Sequence, residues 1–325
     1  MKERSLSSIA VVLVLAMLFV LKIFVSDYFF DVFFCLMACY ACYEMSKLMS
    51  KIGKYNYIWI AVLFPVVLTA MNLIGIHNAV AKSSSLWVLY TILFDVLLIV
   101  LGTLVAFLVS ICRKRQRILH EMTIREITNM SIFKFSFKKA LHTAICFIYP
   151  AFLFLMFLFV NHIDEFGKLF NKIANASITV DYSVFVLLIA FLIPIFTDTF
   201  AYLTGSLIGG KKLCPKLSPG KTIAGAVGGT LWCMLLCACV YLIFWNIDSY
   251  NAFVNAFTLW AFLIVVFLGS IVAQFGDLFE SLIKRRVGVK DSGTFLPGHG
   301  GVMDRIDSHI FVAPYILIAM MLVFL

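Results

Sequence analysis

The chain has 325 residues, of which 63% are hydrophobic and 13% charged, with a mean hydropathy of +1.03 and a formal net charge of +9. Soluble domains run about 45–50% apolar and about 25% charged, so the composition excludes an ordinary water-soluble enzyme and indicates an all-α integral membrane protein. Membrane lipid is an expected partner and nucleic acid is not.

Windows of roughly 17–25 apolar residues read as spanning helices. In chain order there are nine, at about 6–25, 28–45, 56–76, 85–112, 141–160, 182–208, 223–246, 256–276 and 309–325. The first reads as a retained span rather than a cleaved signal. Its apolar core is long, it carries Lys22, and no A-x-A site follows it. With nine spans, 22 of the 26 Lys and Arg residues fall on the side of the N-terminus and three on the other, Lys22 lying within the first span. Cytoplasmic loops carry the basic excess, so the N-terminus is expected in the cytoplasm and the C-terminus outside.

Three regions follow from this order: a four-helix membrane region at 1–112, a basic interfacial segment at 113–140, and a membrane region at 141–325 carrying polar loops at 209–222 and 277–308. Of the three polar segments, 113–140, 209–222 and 277–307, the first two differ from the third in their acidic content. Residues 113–140 hold eight bases against Glu121 and Glu126, as expected of a helix lying among headgroups. Residues 209–222 (GGKKLCPKLSPGKT) hold Lys211, Lys212, Lys216 and Lys221 and no acid. The ending GKT resembles a nucleotide-binding P-loop, but Pro215 stands where that motif needs glycine. Backbone N–H groups and these lysines remain suited to phosphate.

Residues 277–307 carry five bases (Lys284, Arg285, Arg286, Lys290, Arg305) and five acids (Asp277, Glu280, Asp291, Asp304, Asp307). A segment that only adheres to anionic lipid has no use for five acids. Carboxylates, bases and glycines together are the parts of a Mg²⁺-dependent phosphoryl-transfer site: carboxylates hold the ion, and Lys and Arg neutralise phosphate. On helices, Asp277 with Glu280 and Asp304 with Asp307 are i,i+3 pairs that share a face, and two opposed pairs can hold one metal ion or two. Acids within spans are costly and usually functional. That rule singles out Asp198, and also Asp95 and Glu44. His299 reads as a donor to phosphate or a turn residue rather than a base, because a phosphate monoester with a second pKa of about 6 is already an ionised nucleophile. Cysteines such as Cys39, Cys42, Cys233, Cys237 and Cys239 read as apolar packing residues.

From Ser281 the chain reads SLIKRRVGVKDSGTFLPGHGGVMDRID. This 27-residue stretch resembles the signature of the phosphatidate cytidylyltransferases, S-x-apolar-K-R followed by K-D, P-x-H-G-G and D-R-apolar-D, at every fixed position. TDTFAYLTGSLIGGKKLCPKLSPGKTIAGAVGG (197–229) and QFGDLFES (274–281) are similar to two further family stretches, although Ala224 stands where the family often has a polar residue. The first 190 residues resemble the family only in hydropathy and in a glutamate near the second span, Glu44.

The resemblance implies a transferase that joins CTP and phosphatidate into CDP-diacylglycerol and pyrophosphate in phospholipid biosynthesis. It implies Asp277 and Asp304 as Mg²⁺ ligands, with one ion or two. Lys284, Arg285, Lys290 and Arg305 are implied as phosphate binders, and Ser218, Lys221 and Thr222 as a second phosphate cradle. Asp198 completes the polar cavity. Asp291, His299, Gly300, Gly301 and Asp307 complete the expected substrate-binding set. The expected location is the cell membrane, the inner one in a bacterium with two, with the site on the cytoplasmic side and the chain either alone or oligomeric. Two rivals are a related CTP-dependent membrane lipid enzyme (a lipid-alcohol kinase or another CDP-lipid synthase) and an ion-coupled transporter. The full signature disfavours the first, and the absence of internal repeats the second.

Overall fold

Each of the nine apolar windows becomes helix in the computed structural model, which describes residues 2–52, 58–82, 86–121, 132–165, 182–247, 257–293 and 300–324. The helices are α1 (Lys2–Phe24), α2 (Tyr28–Ile52), α3 (Ile58–Ala81), α4 (Leu86–Glu121), α5 (Ile132–Cys146), α6 (Leu153–Asn161), α7 (Ser183–Ile208), α8 (Ile223–Trp245), α9 (Leu259–Val287) and α10 (Met303–Phe324). Among the described residues eight segments are long and apolar enough to cross a membrane, and α1 adds a shorter apolar run, Val12–Phe24. The protein is thus an all-α membrane protein.

Several boundaries differ from the hydropathy windows because helix continues where apolarity stops. α4 runs past residue 112 into the basic segment and α5 starts at Ile132; residues 122–131 lie outside the described set. α9 has 29 residues, about 43 Å at 1.5 Å per residue, against a hydrocarbon core of about 30 Å. Its apolar part, up to Gly276, measures about 27 Å at the same rise, close to that thickness. The remainder, carrying Asp277, Glu280, Lys284 and Arg285, extends beyond. α9 then closes with Gly288 at φ 75°, its N–H donating to the Arg285 carbonyl and that of Val289 to the Lys284 carbonyl, a Schellman ending that glycine accommodates without steric cost. α10 begins earlier than its window, so Asp304 and Asp307 occupy its first turns.

Two local features were absent from the sequence reading. The polar stretch 209–222 folds as a short antiparallel hairpin, β1 (Lys212–Cys214) with β2 (Ser218–Thr222), turning where the Leu217 N–H meets the Cys214 carbonyl at 3.1 Å. Between α5 and α6 the helix widens into a π-helical turn, Phe147–Phe152. Pro150 lies in that turn and has no N–H to donate, and such widened turns commonly serve functional sites.

Small residues set the closest helix approaches, as expected where lipid offers no hydrophobic drive between helices. Gly225 and Gly229 of α8 lie against the backbone of α7; a Cβ on either would stand 2.6 Å from the Ala201 or Thr197 carbonyl oxygen. Gly276 of α9 lies as closely on the first turns of α10, where a Cβ would stand 2.7 Å from the Asp307 carbonyl oxygen and 3.0 Å from the Ser308 Cα. Cys42, Cys146, Cys233 and Cys237 are buried in the apolar core, consistent with packing roles.

One end of the bundle is tied by a buried polar group set. Lys22 pairs with Asp27 and donates to the Asn161 carbonyl at 3.1 Å. Asn161 donates to Asp31 at 2.9 Å, and His162 Nε2 lies 3.0 Å from the same carboxyl group. These contacts join the ends of α1 and α6 to the start of α2. Burial disfavours charge on His162, but Asp31 and Glu165 outweigh it and raise the pKa to about 10.

Two tests follow from these contacts. Gly276→Ala should destabilise the protein by about 1–3 kcal/mol through overpacking, whereas Gly220→Ala, where a Cβ meets nothing within 4 Å, should leave thermal unfolding in detergent unchanged. Because the folded His162 pKa is raised above the ordinary value of about 6.5, its stabilising contribution is complete below pH about 6.5. It is lost as pH rises through about 10, so unfolding temperature should fall over that range more steeply in wild type than in His162→Asn.

Candidate active site

At the other end of the bundle, the last turns of α9 meet the first turns of α10. α9 places Asp277 and Glu280 on one face, and α10 sets Asp304 and Asp307 beside them because Gly276 removes the side chain that would hold the helices apart. α7 contributes Asp198, whose Oδ2 accepts from the Ser308 hydroxyl at 3.1 Å and which lies within electrostatic reach of Asp307, Asp277 and Lys221. Five acids therefore share one small volume. Glu280 is fully buried, and one of its carboxylate oxygens has no hydrogen-bond partner.

Two lysines hold this charge. Lys284 donates to Glu280 at 3.0 Å and to Asp304 at 2.7 Å, and Lys221, from the end of β2, pairs with Asp277. The second Asp304 oxygen accepts from the Ser292 N–H (2.9 Å), the Ser292 hydroxyl (2.8 Å) and the Gly301 N–H (2.8 Å). Removing Lys284 would leave Glu280 and Asp304 as buried charges without their cation, a change that costs roughly 3–5 kcal/mol in buried pairs.

A cavity of about 500 Å³ adjoins these groups, lined by α7 (Asp198, Tyr202), the hairpin (Lys212, Ser218, Lys221) and α9 (Gln274, Asp277), among others. Thr222 sits at its edge with its hydroxyl oxygen accepting the Gly225 N–H at 3.0 Å, so that it caps α8 in the manner of N-cap threonines. Gln274 continues inward through a chain of hydroxyls, donating to Thr230 at 3.0 Å; Thr230 lies 3.0 Å from Ser270, and Thr197 donates to Ser270 at 2.9 Å. These bonds satisfy the polar groups of α7, α8 and α9 where water is scarce.

The structure thus gathers Asp198, Lys221, Asp277, Lys284, Asp304, Asp307 and Gly301 into one neighbourhood, with Ser218 and Thr222 on the cavity wall. Arg285, Lys290, Asp291 and Arg305 are exposed at its margin, where Arg285 donates to the Leu217 carbonyl at 3.1 Å. Gly300 takes a positive φ of 83° before the first turn of α10. His299 lies outside the described residues. Asp95 is buried elsewhere, on α4 beside Asn72 of α3.

Three groups enter the site beyond the ligands and substrate binders that the family resemblance in the sequence implied: Glu280, Glu44 and Tyr149. Glu280 was visible there as the i,i+3 partner of Asp277. Glu44 was visible only as an acid near a span end. Tyr149, on the π-helical turn, is buried with its hydroxyl unpartnered and within electrostatic reach of Glu280, Asp307, Asp277 and Asp304. Its ring packs on Phe279 at 5.0 Å and Phe311 at 5.8 Å. A widened turn leaves no signature in hydropathy.

The donor chemistry suits a hard divalent cation: oxygen ligands only, in excess of the lysines beside them, with an unpartnered carboxylate oxygen on Glu280. Among the described residues no three acidic, His or Cys side chains stand ready-made around one point, as expected while Lys221 and Lys284 occupy the carboxylates.

Fold and site together define a polytopic helical membrane protein with a carboxylate–lysine centre at one end of its bundle. A profile of the cytidylyltransferase family matches residues 3–323, and the chain belongs to that family. It is 47% identical over 128 residues to the phosphatidate cytidylyltransferases of Staphylococcus saprophyticus and Staphylococcus haemolyticus. It is 47% identical over 130 residues to that of Staphylococcus aureus. Each match covers 39% of this chain and 46% of the relative, so the chain spans about half the length of the curated relatives it matches.

Lys284→Met should lower the unfolding temperature markedly, and Lys284→Met with Glu280→Gln should recover part of that loss. Equal stability of Lys284→Met and wild type would show that the lysine is not the counter-charge.

Proposed function

We propose that this protein is a phosphatidate cytidylyltransferase that makes CDP-diacylglycerol and pyrophosphate from CTP and phosphatidate. The carrying observation is the meeting of Lys221 and Lys284 with five carboxylates beside a cavity walled by the hairpin and α7. In this reading an oxygen of the lipid phosphate forms a bond to the α-phosphorus of CTP while the bond to the bridging oxygen of the β-phosphate breaks, and pyrophosphate leaves. The lipid phosphate is largely ionised near neutral pH and needs no general base. Positioning and charge neutralisation are what the protein must supply.

Each lysine has a second role available. Lys221 and Lys284, now paired with carboxylates, exchange those partners for phosphate oxygens. Ser218 and the hairpin N–H groups add donors, while Arg285, Lys290 and Arg305 guide the triphosphate at the margin. A bound Mg²⁺ supplies hard positive charge to the phosphate oxygens, and Asp277 and Asp304 would hold it, with Asp307, Glu280 and Asp198 available to a second ion. Asp198 and Asp307 also keep the inner wall of the site polar.

The site faces the cytoplasm of the cell membrane in this reading, where CTP is available. The C-terminal ends of α2, α7 and α9 meet at the centre, and these are the second, sixth and eighth spans. Their shared side is the one expected to hold 22 of the 26 Lys and Arg residues, in accord with basic loops remaining cytoplasmic.

Purified protein given CTP and phosphatidate should release pyrophosphate and form CDP-diacylglycerol, and a prenol acceptor should not replace phosphatidate. Formation of CDP in place of pyrophosphate would instead identify a CTP-dependent lipid kinase. Asp277→Asn and Asp304→Asn should each reduce turnover by at least about a hundredfold, the scale seen when a group stabilising transition-state charge is removed. Near-normal turnover of either in saturating Mg²⁺ would overturn the ligand assignment.

A further inference from the structure

The loop that carries the signature is fastened from outside its own half of the chain. Glu44, two-thirds of the way along α2, is 2% exposed. Its Oε2 accepts the Met303 N–H at 2.8 Å and the Ser292 hydroxyl at 3.2 Å. Met303 is the first residue of α10, where N–H groups lack partners within the helix and the helix dipole favours an anion. Glu44 therefore acts as a cap delivered by a different helix. The same Ser292 hydroxyl lies 2.8 Å from Asp304 Oδ2, which also receives the N–H groups of Ser292 and Gly301. Gly293 and Gly301 wall this contact so closely that a Cβ on either would run into the Glu44 carboxylate.

An acid this deeply buried is costly in a span, and no lysine, arginine or histidine forms an ion pair with it among the described residues. Its partners are hydrogen-bond donors at residues 292 and 303. All three donors to Asp304 Oδ2 lie at 292 and 301, and Ser292 is shared between the two carboxylates. The acid on α2 and the acid on α10 are thus joined through a single side chain.

We infer that Glu44 is a positioning residue for the cytidylyl-transfer centre: acting through Ser292 and the first turn of α10, it sets the orientation of Asp304. The inference rests on the function proposed above and deepens it by giving the N-terminal half a role in catalysis. Without Glu44 the Met303 N–H and the Ser292 hydroxyl lose their fixed point. Asp304 keeps Lys284 but no longer presents its oxygens in one direction. Groups that orient metal ligands commonly change metal affinity by about 10–100-fold when removed.

The test uses the full-length protein in detergent, with Glu44→Ala, Glu44→Gln, Ser292→Ala, the Glu44→Ala/Ser292→Ala double variant, and Leu48→Ala. Leu48 is buried one turn further along α2 and controls for packing loss. Two readouts are taken: the Mg²⁺ concentration giving half-maximal rate, and the rate of tryptic cleavage after Lys290 without substrate. Glu44→Ala should raise the Mg²⁺ requirement about tenfold or more and accelerate cleavage. Glu44→Gln, which still offers an oxygen to the Met303 N–H, should shift both less. The double variant should be no worse than Glu44→Ala, since both residues act along one chain, and Leu48→Ala should lower stability while moving neither readout. Wild-type Mg²⁺ requirement and cleavage in Glu44→Ala, or multiplying effects in the double variant, would overturn the inference. If Glu44→Ala does not fold, wild-type behaviour of both Glu44→Gln and Ser292→Ala would overturn it instead. Wild-type protein that forms no CDP-lipid would overturn the proposed function, while the cleavage readout would still decide whether Glu44 fastens the loop.

Discussion

The centre depends on one close backbone contact, that of Gly276 in α9 with Asp307 and Ser308 in α10. Without a side chain at Gly276 the two helices meet almost backbone to backbone, and the carboxylates that flank the contact are forced together. Asp277 and Glu280 follow it on one helix; Asp304 and Asp307 precede or form it on the other. A larger residue there would push the two pairs apart. Membrane helices can approach this closely because the favourable element is van der Waals packing of small residues rather than burial of large ones.

Bringing like charges together in a medium that solvates them poorly creates the second constraint. The lysines answer it, each from a different direction: Lys284 from within α9 and Lys221 from the hairpin that crosses over the cavity. Because they are paired with carboxylates rather than with fixed carbonyls, the same lysines remain available to a phosphate, so the charge balance that stabilises the free protein also suits the proposed reaction. At the opposite end, Lys22, Asp31, Asn161 and His162 form a second polar set. That set joins helix ends, which fits a structural role.

The two halves of the chain contribute unequally. α7 to α10 and the hairpin between α7 and α8 carry both lysines and all five central acids. The N-terminal half supplies supports: Glu44 beneath the signature loop and Tyr149 against the carboxylates. Supports can be built from many sequences, provided one donor or acceptor arrives at the right point.

Much of this was legible in the sequence, and the legible part has a common cause. Spans follow from hydropathy summed over about 20 residues, and the i,i+3 acid pairs follow from the helical period; both are local. The signature and its neighbouring stretches are likewise contiguous, so the acids and bases of residues 277–307 stood out at once. What only the tertiary structure decided is non-local. Glu44 meets Ser292 across 248 residues, Lys221 meets Asp277 from another loop, and Thr222 turns out to cap α8. The hairpin is too short and too rich in Pro and Gly to show a strand period, and the π-helical turn that aims Tyr149 shifts the register of an otherwise uniform apolar run. A sequence specifies which residues are expensive to bury; which partners make that burial tolerable is decided only when the helices pack.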